Sequence, residues 1–231
     1  MFFPELHMNE INSMKFSKAF LSGVLRRIFC TQNRKIFVIG FHKTGTSSLG
    51  KALQVLGYKV CGSLKEAYGY KEKPDVKEYI LNKARPLMLK YDAFQDTPWF
   101  ILYKELYRLF PDSYFILTVR QEEQWLKSVQ RHFGDNFFHF HDFIYGTTDS
   151  FVDSDQYLKQ FNSHNQEVKE FFKDNPNFMV FDVSMNGWKE LCNFLGVRKP
   201  IFHKFPNANK ASQRNSLFSK VKKKIKGLYY E

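Results

Sequence analysis

Lys35-Ile-Phe-Val-Ile-Gly40-Phe-His-Lys-Thr-Gly45-Thr-Ser-Ser-Leu-Gly50-Lys-Ala-Leu-Gln-Val55-Leu-Gly57 changes character twice along its length. The apolar, β-branched run to Ile39 predicts a buried strand, Gly40 to Gly45 predict a tight turn, and Thr46–Leu56 carries helical spacing closed by Gly57. Strand, glycine turn and helix in this order bring several backbone N–H groups to one point, at the positive end of a helix dipole. Such a point binds phosphate or a similar anion. The common nucleotide-binding form of this loop is GxxxxGK[ST]. Here Gly40 and Gly45 keep the interval, but Thr46 stands where that motif has its lysine. The cation has moved to Lys43, and Thr44, Thr46, Ser47 and Ser48 add hydroxyl donors. An ordinary ATPase or GTPase is not expected from this loop.

Outward from it, further strands are expected at Tyr58–Cys61, Asp92–Gln95, Tyr114–Val119 and Phe178–Val183. Helices are expected at Asp75–Lys90, Trp99–Phe110, Glu122–Phe133, Ser154–Lys173 and Asn186–Leu195. Pro111, Gly134 and Gly196 punctuate three helix ends, and Pro86 is expected to kink or end its own helix. Strands alternating with helices argue for an α/β three-layer fold, a central parallel sheet flanked by helices.

A chain of 231 residues suits one such domain. With 43% hydrophobic and 18% aromatic residues it can bury a sizeable core, which excludes disordered and collagen-like readings. Lysine and arginine outnumber aspartate and glutamate by 35 to 23, so anionic partners are favoured. Three scattered cysteines without a CxxC pair point to a reducing compartment, and a cytoplasmic location is expected. Phe16 to Phe29 is interrupted by Lys18, Ser22, Arg26 and Arg27, so it is read as an amphipathic helix docked on the domain, not a bilayer span or signal peptide. The lysine-rich run Lys220–Lys226 reads as a solvated tail that could touch an anionic membrane peripherally.

Two motifs in order narrow the function. Lys43-Thr-Gly-Thr-Ser47 is followed by Ile116-Leu-Thr-Val-Arg120 and Trp125-Leu-Lys-Ser128, an arginine at a strand end with a serine eight residues later. This pair resembles the sulfotransferases that use 3′-phosphoadenosine 5′-phosphosulfate (PAPS), with their KTGT loop. The similarity extends through Phe161-Asn-Ser-His-Asn165, Gly187-Trp-Lys-Glu190 and Phe205-Pro-Asn-Ala-Asn209 to span roughly Lys35 to Asn209. The resemblance implies a P-loop-kinase-like fold and three parts: an extension over residues 1–34, a sulfotransferase domain over 35–209 and a basic tail over 210–231. It further implies in-line transfer of a sulfonate from PAPS to a hydroxyl or amine, with release of adenosine 3′,5′-bisphosphate and no required metal. Lys43, Thr44, Gly45, Thr46, Ser47 and Ser48 would cradle the 5′-phosphosulfate, and Arg120 and Ser128 would grip the 3′-phosphate. Related sequences place an RKG segment near the 3′-phosphate; here Arg198-Lys199 is followed by Pro200, so Lys210 or Arg214 is the expected substitute.

The chemistry of the residues agrees. Sulfuryl transfer is eased by a fixed cation at the bridging oxygen, a role suited to Lys43. A general base must take the acceptor's proton, and Asp96, ending an expected strand in Asp92-Ala-Phe-Gln-Asp-Thr-Pro98, is the first candidate, with His42 the second. His164-Asn165 reads mainly as a packed helix face, His139-Phe-His141 as loop decoration without metal, and Asp182 as a cap of the next helix. Acceptor contacts are expected from Tyr68–Pro74 and Phe133–Asp155, whose aromatics suit a glycan or small molecule. No helix-turn-helix, zinc-finger or RNP motif is present, so nucleic acid is not expected as a partner. The competing readings are a nucleotide or small-molecule kinase with a divergent loop, and a basic anion-binding module without catalysis.

Overall fold

The computed structural model describes residues 34–71, 73–134, 138, 140–200 and 203–207. The N-terminal amphipathic segment, Cys30, His139, Lys210, Arg214 and the lysine-rich tail lie outside the described residues. Five parallel strands form one sheet: β1 Ile36–Val38, β2 Val60–Cys61, β3 Ala93–Phe94, β4 Tyr114–Val119 and β5 Phe178–Asp182. Seven helices are interleaved with them: α1 Thr46–Val55, α2 Val76–Lys90, α3 Tyr103–Leu109, α4 Glu122–Phe133, α5 His141–Tyr145, α6 Ser154–Phe171 and α7 Trp188–Leu195. Among the described residues no helix is long and apolar enough to cross a membrane.

The strand order is β2-β3-β1-β4-β5. The chain leaves β1 toward one edge and later returns to its other side, so the order reverses at β1. In open parallel sheets a crevice opens at the carboxyl ends of strands at such a reversal, and this puts the loop after β1 in the crevice. Register is tight there, with Val38 opposite Ile116 and Ile36 opposite both Ala93 and Tyr114.

Period-two alternation sorts β1 onto two cores. Phe37 and Ile39 join Phe94, Phe115, Trp125 and Phe161 on one side, while Ile36 and Val38 join Leu49, Leu53, Ile116 and Leu191 on the other. The first core is dense in rings: Trp125 stacks on Phe161 at 4.1 Å, and Phe37 packs against Phe94 and Phe115. A strand buried on both faces reads as a continuous apolar run, which is why the sequence signal at β1 and β4 was strong.

Three of the expected helices differ in the structure. Pro86 neither ends nor interrupts α2, which runs on to Lys90. Ile80, Ala84 and Met88 anchor the helix on both sides of it, and Pro86 and Asn82 are both exposed, so the carbonyl that loses its donor meets water. The single helix expected over Trp99–Phe110 is a 3₁₀ turn, Trp99–Leu102, followed by α3, because buried Trp99, Phe100 and Leu102 dictate the path of its start. Asn186 and Gly187 precede α7: the Gly187 N–H donates to Glu190 Oε2 at 2.8 Å and the Asp182 N–H to Asn186 Oδ1 at 2.9 Å.

Candidate active site

The loop between β1 and α1 is shaped by what it cannot avoid touching. A Cβ on Gly40 would lie 2.2 Å from the Thr118 carbonyl oxygen, so β4 approaches too closely for any side chain there. Gly45 has φ +104°, and a Cβ on it would meet Val183 Cγ2 at 1.9 Å. The Thr44 hydroxyl donates to the Phe41 carbonyl at 2.5 Å and accepts from the Thr118 hydroxyl at 2.6 Å, so this buried side chain ties the loop to β4. The Trp125 indole N–H donates to the His42 carbonyl at 3.0 Å, and Arg120 Nη1 donates to the Lys43 carbonyl at 3.2 Å. Neighbouring elements thus fix the loop from outside.

Gly45 caps α1 with no side chain, and the N–H groups of Gly45, Thr46 and Ser47 make no hydrogen bond among the described residues. Such open donors at a helix start form an anion cradle. A cavity of about 580 Å³ lies against it, lined by Lys43, Thr44 and Gly45 from the loop, Ser48 from the first turn of α1, Arg120 from the end of β4 and Ser128 from α4. Sequence reading named all six. It did not name Lys127 and Arg131, which line the same cavity from α4 and make no ion pair among the described residues. Gln124, Lys127, Ser128 and Arg131 fall at i, i+3, i+4 and i+7, and that helical spacing was the signal available for finding them. Against these cations stands Asp182, whose Oδ1 accepts from the Ser184 N–H and hydroxyl at the end of β5.

On the other side of Lys43 and Gly45 lies a second cavity of about 260 Å³. Thr46 and Ser47 line it rather than the larger one, together with His42, Asp96, Tyr68 and Phe133. Tyr68 from one region read as an acceptor loop and Phe133 and Phe138 from the other reach its wall, beside Ser63, Thr97 and His132. Lys43 and Gly45 border both cavities, so the loop stands between two chambers.

Lys43 and Asp96 are the two non-glycine residues in the left-handed region among the described residues, at φ 68° and 77°. That conformation costs on the order of 1–2 kcal/mol per residue and persists where surroundings over-determine it, which is common at functional sites. Asp96 lies just past β3 and accepts from the Thr97 N–H at 2.9 Å. Burial raises its carboxyl above the ordinary carboxylate range, opposed by the Thr97 N–H, the Lys43 ammonium and the Thr97 hydroxyl.

His42 is buried, with its Nε2 2.8 Å from the Tyr145 hydroxyl and Nδ1 3.4 Å from Thr97 Oγ1. Burial lowers its pKa well below the usual histidine value, with His141, Lys43 and His132 adding repulsion. His141, expected to decorate a loop, instead begins α5 at 1% exposure and bonds the Tyr157 hydroxyl at 2.8 Å. A five-residue helix inside an aromatic loop has too few turns to show periodicity, so the sequence could not announce it. His164 Nε2–H donates to the Ile39 carbonyl at 2.8 Å and its ring stacks on Phe41, as the packed-face reading has it. No cluster of three or more histidine, cysteine, aspartate or glutamate side chains gathers as metal ligands among the described residues.

Comparison with known families finds the sulfotransferase domain matching residues 35–153 and 136–214, most of the chain and all of the machinery above. No match to the sequence is found among curated proteins. A phosphate-type loop carrying its lysine early, an arginine at the end of β4 and a serine on α4 thus sit within a matched domain, and the chain belongs to the sulfotransferase domain family.

Proposed function

We propose that this transferase moves a sulfonate from PAPS to a hydroxyl or amine of a glycan or small-molecule acceptor and releases adenosine 3′,5′-bisphosphate. The observation that carries the reading is the loop between two cavities: a cationic one large enough for a nucleotide, and a smaller one holding a carboxylate, meeting at Lys43 and Gly45. Two-substrate transfer needs such a meeting point, because positioning two reactants in one geometry lowers the barrier substantially.

The cavity of about 580 Å³ falls in the range of small-molecule sites and fits a doubly anionic nucleotide in its chemistry. Open N–H groups at Gly45, Thr46 and Ser47 and the Lys43 ammonium suit the 5′-phosphosulfate, while Arg120 and Ser128 suit the 3′-phosphate. PAPS, when bound, supplies a sulfonate on a phosphate leaving group. Lys43 meets the negative charge that develops on that leaving group. Asp96 accepts the acceptor's proton from within the smaller cavity. At about 260 Å³, that cavity accommodates one ring or the end of a longer chain, walled by Tyr68 and Phe133. Location in the cytoplasm, with the lysine-rich tail touching anionic lipid, belongs to the same proposal.

Calorimetric titration with adenosine 3′,5′-bisphosphate, 5′-AMP and Mg·ATP tests it. Binding that requires the 3′-phosphate is expected. Preference for Mg·ATP would replace the reading with the kinase, and no nucleotide binding would leave an anion-binding module.

A further inference from the structure

We propose that Lys127 and Arg131 form, with Ser128, a phosphate seat on α4 that takes the 3′-phosphate of the donor nucleotide and sets its selectivity over a 5′-monophosphate. The inference rests on the reading of the larger cavity as a nucleotide site, but the seat itself follows from placement and charge. Gln124, Lys127, Ser128 and Arg131 all line that cavity, and Lys127 and Arg131 stand one turn apart, about 6 Å along the helix axis. The helix that carries them is anchored. Trp125 and Val129 are buried, the Trp125 ring stacks on Phe161 at 4.1 Å, and its indole N–H donates to the His42 carbonyl at 3.0 Å. The row of polar side chains is thereby held in fixed relation to the loop after β1.

Charge in the cavity is unbalanced. Lys43, Arg120, Lys127 and Arg131 face one carboxylate among the described lining residues, Asp182, whose Oδ1 already accepts from the Ser184 N–H at 2.8 Å and hydroxyl at 2.7 Å. The acids at the start of α4 do not neutralise the pair. Glu122 Oε2 accepts from Asn162 Nδ2 at 2.7 Å beside a neighbouring cavity, and Glu123, one turn before Lys127, makes no ion pair with it among the described residues. Arg120 commits Nη1 to the Lys43 carbonyl at 3.2 Å, so part of its fork serves the loop. A phosphate monoester carries about −1.5 to −2 at neutral pH, more than a partly engaged guanidinium and one hydroxyl match. Lys127 and Arg131, on long exposed side chains, supply the missing charge, whereas Arg198 and Lys199 do not line the cavity.

Calorimetry on the full chain with adenosine 3′,5′-bisphosphate and 5′-AMP tests the seat. Lys127→Gln and Arg131→Gln should each weaken the bisphosphate about three- to tenfold and together about ten- to a hundredfold, while 5′-AMP changes by less than about threefold. Lys83→Gln with Arg85→Gln removes the same charge from exposed positions on α2 that line neither cavity, and should leave both affinities within about twofold. Undiminished bisphosphate affinity in the α4 double variant overturns the seat. Equal losses for the two nucleotides, or an equal loss from the α2 pair, overturn it as well, because the effect would then belong to net charge. A wild-type protein that binds no adenosine 3′,5′-bisphosphate removes the donor reading on its own. Inorganic phosphate, followed through the Arg131 ¹⁵Nε resonance, then decides the seat: a saturable shift keeps it as an anion site, and no shift overturns it too.

Discussion

Arg120 Nη1 donates to the backbone carbonyl of Lys43 across 3.2 Å, so the arginine that ends β4 holds the loop that follows β1. One guanidinium thereby shapes the cradle and faces the cavity that the cradle borders. A planar fork can serve a carbonyl and an anion at once, whereas an ammonium is a point charge.

Arg120→Lys is accordingly expected to cost about ten- to a hundredfold in affinity for adenosine 3′,5′-bisphosphate, the value of one or two charge-assisted hydrogen bonds. Affinity for 5′-AMP should fall less. Calorimetry on both ligands measures the ratio, and equal losses would place the arginine's contribution in loop shape alone.

Lys43→Ala should lower turnover by about 10²- to 10³-fold while changing nucleotide affinity by less than about tenfold. The left-handed φ of Lys43 complicates alanine, so Lys43→Gly, which relieves that strain, is the paired variant. Single-turnover rates that fall equally in both assign the loss to the ammonium. A rate rescued by glycine would assign it to the backbone.

Gly40→Ala drives a Cβ to 2.2 Å from the Thr118 carbonyl between two central strands and should cost about 3 kcal/mol or more. Gly196→Ala, at φ 63° with nothing within 4 Å of its added Cβ, should cost only the left-handed backbone penalty of about 1–2 kcal/mol. Urea unfolding midpoints check the order, and similar costs at both sites would contradict the close approach of β4.

Acid should destabilise the fold through its histidines. Burial holds His141 and His164 down to about 4 and lowers His42 in the same direction, so the unfolded chain takes up protons below 6.5 that the native protein refuses. Where the unfolded state binds more protons, stability falls with falling pH, by about 1.4 kcal/mol per unit for each such group. Thermal unfolding midpoints should therefore drop between pH 6.5 and about 4. A flat profile over that window would mean that these rings are charged or solvated in the native state.

The sequence was most legible where local rules and burial agree. β4 and α4 begin and end where periodicity put them, Tyr114–Val119 and Glu122–Phe133, because a two-faced buried strand and a glycine-ended amphipathic helix each carry a full signal. It was least legible around α5, where Phe138 and Phe140 precede a short helix that contains Phe143 and aromatic content alone cannot say which rings face inward. Pro86 misled for a related reason: the local penalty was real, but an apolar stripe on both sides of it outweighed one hydrated carbonyl.

The loop after β1 shows the division most sharply. Residue type and spacing along the chain sufficed for the strand, the glycine turn and the helix, and for the early position of Lys43 between them; Arg120 and Ser128 were singled out through the family resemblance. Long-range packing set the rest: Thr46 and Ser47 border a different cavity from Ser48, Thr44 turns its hydroxyl inward to Thr118, and His42 is locked between Tyr145 and Thr97. Those outcomes depend on partners 55 to 103 residues away, brought within hydrogen-bond reach by the order of strands in the sheet, and no local pattern records them.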